Sequence, residues 1–128
     1  IAAMAGNIGV QSAAIVVQDI ASNNMKDKWI NKFIKELSVS AFNGLICGII
    51  IFIFCYLNYG LNETEFSITL SISLVIVMIY AAIFGTFIPL LLNKFKIDPA
   101  LATGPFITTM NDVIGLLIYF VISEYMFA

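Results

Sequence analysis

Polar and charged residues are spaced along this chain so that four long apolar stretches stand between them. Residues 1–18, 37–62 and 66–93 carry no charged side chain, and residues 99–123 carry one, Asp112. Each is near or beyond the roughly 18 residues that a membrane-spanning helix needs. Lipid-spanning strands would be about 10 residues long with alternating polarity, and these runs do not alternate. The pattern predicts an all-α membrane protein, a bundle of at least four transmembrane helices. Composition agrees: the 128 residues are 61% hydrophobic and 11% charged, with a mean hydropathy of +1.01. A soluble domain carries about 25% charged residues, and a disordered one combines low hydrophobicity with high net charge. A net charge of −2 leaves no basic surface for nucleic acid.

The lysines set an orientation. Lys26, Lys28, Lys32 and Lys35 lie between the first two stretches, Lys94 and Lys96 between the last two, and Glu63 and Glu65 between the second and third. Lysine-rich loops stay cytoplasmic, so residues 23–36 and 94–98 are expected inside, with residues 60–65 and the C-terminus outside an inner (plasma) membrane. This parity puts Ile1 outside. No basic segment precedes the first apolar run, so it does not read as a secretory signal; a longer parent chain with one preceding helix is expected. Met25, Trp29, Ile30, Phe33, Ile34 and Leu37 fall at helical spacing while Lys28, Lys32 and Lys35 face elsewhere. That predicts a short amphipathic helix on the inner surface, each lysine contributing roughly 1 kcal/mol near anionic headgroups. A docking surface for a cytosolic domain is the alternative.

Polarity within the spans points to chemistry. Asn7, Gln11, Gln18 and Ser22 form one stripe on the first helix, with Gly6 and Gly9 beside it. Lipid offers such groups no partner, so they should face protein or water; amide bonds between helices are the structural reading. In the fourth stretch Asp98 and Pro99 suit a helix start. Gly104 and Pro105 follow, predicting a kink and a freed carbonyl near Leu101. Thr108, Asp112, Gly115 and Tyr119 then share a face. An aspartate near a helix centre costs roughly 2.5 to 3.5 kcal/mol on insertion scales, and no Lys or Arg lies within a span to neutralise it. A proton, a bound cation or a water-filled cavity would do so; a protonated Asp112 bonded to Asn7 or Gln11 is the purely structural alternative. Ser40, Gly44 and Gly48 make a small-residue face for close packing, within the chain or with a second copy. Gly85 and Pro89 mark a bend or a packing contact. Cys47 and Cys55, about 12 Å apart on an ideal helix, cannot pair, and the absence of His excludes the usual zinc sites. No nucleophile is paired with a base and no glycine loop would cradle phosphate, so no enzyme is expected. Movement of a solute across the membrane remains.

At Ala5-Gly6-Asn7-Ile8-Gly9-Val10-Gln11-Ser12, and from Pro89 through Asp98-Pro99-Ala100, Gly104-Pro105, Thr108-Thr109 and Asp112-Val113-Ile114-Gly115, the chain resembles the MgtE-type magnesium channels. The similarity runs in order along the whole chain. It implies a five-helix membrane domain that works as a homodimer, with the second and fifth helices of both copies lining the pore. Residues 1–128 would be that transmembrane pore domain without the family's first helix and cytosolic regulatory domains, and their first and last helices would line the pore. Carried over by position, Asp112 is the ion-selecting acid and Thr108 supplies a backbone carbonyl beside it. Asn7 is pore-lining, and Gln11, Gly6, Gly9, Thr109 and Gly115 are further pore-lining candidates. Many members carry a basic residue near Gln18 and Asp19, and this chain has none there.

The implied cargo is Mg2+, with no separate cofactor. The implied partners are a second copy, the lipid bilayer and a cytosolic regulatory domain in the parent chain. Magnesium demands octahedral oxygen coordination and gives up water reluctantly, so a pore that holds the hydrated ion at the dimer two-fold axis is the expected mechanism. Two alternatives stand beside it: a proton- or sodium-coupled secondary transporter of divalent cations, and a non-conducting membrane anchor.

Overall fold

A computed structural model describes residues 1–23 and 29–128. Its helices are α1 (Ala2–Ala21), α2 (Trp29–Tyr59), α3 (Thr64–Lys94) and α4 (Pro105–Phe127), with short 3-10 segments at Leu61–Glu63 and Pro99–Ala102. There is no strand among the described residues. The all-α membrane bundle expected from the hydrophobic pattern is what the chain forms. Helices α2, α3 and α4 are long and apolar enough to cross a membrane. Helix α1 has 20 residues, and the Asn7, Gln11 and Gln18 stripe lowers its hydropathy relative to the others.

The core follows from which faces are small. On α3, Leu74, Val77, Met78, Ala81, Ala82 and Gly85 are buried, a spacing of three and four that makes one stripe. Helix α1 packs on α3 and α4, while α2 packs on α3, so α3 lies at the centre. Lipid gives apolar side chains little reason to leave it, so helices associate through close packing and small residues. The Ser40, Gly44 and Gly48 face of α2 does this within the chain. A Cβ on Gly44 would lie 3.1 Å from the Val75 Cα, and one on Gly48 3.2 Å from the Ser71 carbonyl oxygen. The Ser71 hydroxyl donates to the Gly48 carbonyl at 2.9 Å, closing the α2–α3 seam.

Two local expectations change. The amphipathic segment, from Trp29 onward, is the first turns of α2 and not a separate helix; Met25 and Lys28 lie outside the described residues. Neither Gly nor Pro occurs between Trp29 and Ser40, so nothing stops the backbone bonds from running on. Phe33 meets Phe87 of α3 edge-on at 5.9 Å, and Lys32 pairs with Asp19 of α1 at 2.5 Å. Before α4 the chain breaks instead of kinking. Asp98 caps the 3-10 turn through Ala100 N–H at 3.0 Å, Thr103 is extended, and Gly104 has φ 83°. Pro105 lacks the N–H that would bond Leu101 and disfavours helical conformation in the residue before it. It is, however, well suited to the first position of a new helix, which it occupies. In α3 the helix continues past Pro89 to Lys94, and Gly85 is explained by its contact with α1.

Candidate functional site

Helices α1 and α4 approach through glycines. A Cβ on Gly6 would lie 3.1 Å from the Asp112 Oδ1 and 3.1 Å from the Thr108 Cγ2. One turn further, a Cβ on Gly9 would overlap the Asn111 amide nitrogen and stand 2.9 Å from the Ile107 Cγ2. The Gly9 carbonyl oxygen in turn occupies the space of a Cβ on Gly85. The α3 backbone at Gly85 and the α4 side chains of Asn111 and Ile107 therefore converge on Gly9.

Beside this contact lies an open groove of about 680 Å³, lined by Asn7, Val10 and Gln11 of α1 and by Gly104, Pro105, Thr108 and Thr109 of α4. The break at Gly104 and Pro105 forms one wall. Asn7, Gln11 and Thr109 are exposed there, and Thr108 is partly buried with its hydroxyl donating to the Gly104 carbonyl at 3.1 Å. Asp112 sits one turn along α4 from Thr108, as the 3.6-residue period requires. Its Oδ1 is buried without a hydrogen-bond partner. No hydrogen bond joins it to Asn7 or Gln11 among the described residues, so the purely structural pairing is not formed. An unpartnered carboxyl oxygen out of water is costly, and a proton, a cation or water is the chemistry that relieves it.

The structure thus brings Asn7, Gln11, Thr108 and Thr109 to one groove, with Asp112 a turn away. Gly6 is buried behind it, giving Asp112 and Thr108 room. Gly9 and Gly115 do not line the groove. Gly9 faces Asn111 and α3, while a Cβ on Gly115 would lie 3.0 Å from the Val77 Cγ1 and 3.6 Å from the Ala5 Cβ. Both turn toward the centre of the bundle because α3 fills that side. Sequence reasoning passed over Asn111, which is fully buried with neither amide atom partnered. Its only signal was a polar residue next to Asp112 in an apolar run. It also passed over the tie between the Ser12 hydroxyl and Glu36, at 3.4 Å.

Residues 1–122 match the MgtE family, described as divalent cation transporter. The chain belongs to this family. It is similar to the magnesium transporter MgtE of Bacillus subtilis, 38% identical over 124 residues that make up 96% of this chain and 27% of that protein. The Enterococcus faecalis magnesium transporter MgtE is 32% identical over 121 residues, 94% of this chain and 26% of its own length. The Thermus thermophilus one is 31% identical over 121 residues, 93% and 26%. The chain spans about a quarter of the length of these relatives. MgtE membership and the three long apolar helices make this a membrane-embedded protein. Among the described residues of this MgtE chain no three His, Cys, Asp or Glu side chains cluster as a metal site would. A cation placed at Asp112 would meet fewer than three such side chains from the described residues of one chain, and carbonyls, amides, water or a second copy would have to complete its shell.

Proposed function

We propose that this chain forms half of a magnesium pore, in which two copies meet at a two-fold axis and pass hydrated Mg2+ between their α1 and α4 helices. The observation that carries the proposal is the unpartnered Oδ1 of Asp112, one turn from a groove of Asn7, Gln11, Thr108 and Thr109. Two such carboxylates across an axis match a doubly charged ion. Magnesium keeps most of its water, so the carboxylates and the Thr108 backbone carbonyls act through the water shell. Asn7, Gln11 and Thr109 are placed to hydrogen-bond those waters. The names of the relatives, magnesium transporters, support the choice of ion. One acid per chain attracts any divalent cation, so Mn2+ and Co2+, which share the octahedral preference, also pass. The lysine-bearing ends face the cytoplasm across the plasma membrane, and the groove opens beside the first turn of α4.

The test is Mg2+ uptake into liposomes by the reconstituted full chain and its Asp112→Ala variant. Wild-type uptake without a proton or sodium gradient and uptake at background level in the variant are expected. Flux that requires such a gradient would replace the pore with a coupled carrier. Absent flux in the wild type would leave a membrane anchor, and undiminished flux in the variant would remove Asp112 from the mechanism.

A further inference from the structure

The polar side chain buried most deeply in α4 is the neighbour of Asp112. Asn111 is fully buried, and neither its Nδ2 nor its Oδ1 has a partner. A buried amide that bonds to nothing is worse placed than an apolar group of the same shape, so filling space does not account for asparagine here. Its seat is specific. The amide lies where Gly9 lacks a Cβ, Ile107 closes the same seat from one turn earlier on α4, and α3 backs Gly9 from the other side through Gly85. Ile107 is itself fixed in a cluster with Ala13 and Ala102. Gly6 and Gly9, three residues apart, lie on one face of α1. Two consecutive α4 residues fill these two adjacent seats, Asp112 at Gly6 and Asn111 at Gly9.

We infer that Asn111 is a positioning residue: its amide, seated on Gly9, sets the rotation of α4 about its axis and so the placement of Asp112 and Thr108 toward the ion path. A carboxylate about 6 Å from the helix axis moves roughly 1 Å for each 10° of rotation. A displacement of that size alters the fit to a hydrated ion whose geometry is strict. This rests on the reading of Asp112 as the ion contact.

The experiment compares Mg2+ uptake curves in liposomes for the full chain, Asn111→Ala, Gly9→Ala, the double variant and Asp112→Ala. Asn111→Ala empties the seat and Gly9→Ala fills it with a methyl group. Each is expected to raise the half-saturating Mg2+ concentration about tenfold with the saturating flux changed less than about twofold, the pattern of lost ion binding. The half-saturation point does not depend on how much protein folds. In the double variant the new methyl group occupies the space of the missing amide, and half-saturation returns to within about threefold of wild type, a coupling typical of residues in contact. A wild-type curve for Asn111→Ala beside an inactive Asp112→Ala overturns the inference and leaves the pore reading intact. So does a fall in saturating flux alone, or a double variant no better than either single one. A wild-type curve for Asp112→Ala overturns both.

Discussion

Gly85 is the position at which one methyl group does most harm. A Cβ there falls on the Gly9 carbonyl oxygen and within 3.0 Å of the Gly9 Cα and carbonyl carbon. These are backbone atoms of a helix, so relief requires α1 to move away from α3. Gly85→Ala is expected to destabilise the fold by about 2–3 kcal/mol, the upper part of the range for overpacking. At Gly115 the new methyl group meets the Val77 Cγ1 and the Ala5 Cβ, and a valine side chain can rotate, so Gly115→Ala should cost about 1 kcal/mol. Thermal unfolding in detergent measures both. A Gly85→Ala protein as stable as wild type would contradict the close approach of α1 to α3. The same reasoning shows why Asn111 matters: its two unpartnered amide atoms forgo about 1–3 kcal/mol of hydrogen bonding, stability that an apolar residue would retain.

The break before α4 separates strain from packing at the level of the element. Gly104 has φ 83° and ψ −138°, Gly60 has φ 72° and ψ −165°, and neither has any atom within 4 Å of an added Cβ. Both lie in backbone regions that other residues rarely adopt, so an alanine at either should cost about 1–3 kcal/mol through the backbone alone. Their consequences differ because Gly104 lines the groove and Gly60 joins α2 to the turn before α3. Gly60→Ala is expected to lower the melting temperature and keep uptake per folded molecule, whereas Gly104→Ala lowers both; equal uptake losses in the two would remove the break from the pathway. The spans were legible in the sequence because hydrocarbon demands apolar residues whatever the neighbours are. Gly104-Pro105 was legible as a discontinuity. Whether proline bends a helix or begins one depends on the conformation of the residue before it, which the sequence does not state. The faces of Asn7, Gln11, Thr108 and Thr109 were legible from the 3.6-residue period. Gly9 and Gly115 were not, because a glycine reads the same whether it opens onto water or onto another helix. Only the position of α3 decides which.

For the whole molecule, two outward surfaces compete to be the site at which copies meet. Between α2 and α3 lies a groove of about 440 Å³ lined by residues such as Leu45, Ile49, Phe52, Ile72 and Ile76. The one hydroxyl there, on Ser71, lies within hydrogen-bonding distance of the Gly48 and Ser67 carbonyls, which share its single hydrogen. Nothing on that face needs more than lipid. The α1–α4 groove instead presents the amides of Asn7 and Gln11 and the hydroxyl of Thr109, which hydrocarbon cannot satisfy. Pairing two copies through this groove gives those groups water or each other and brings the two Asp112 carboxylates toward a common ion. Pairing through α2 and α3 leaves them in lipid. With Cys47 and Cys55 replaced by alanine, a single cysteine at Thr109 is therefore expected to yield a covalent dimer with a short thiol crosslinker in native membranes. A single cysteine at Ile76, half-exposed on the opposite groove, should leave the chain monomeric on a denaturing gel. Crosslinking at Ile76 in preference to Thr109 would move the axis to the apolar face, and a shared ion between two Asp112 side chains would no longer be geometrically available.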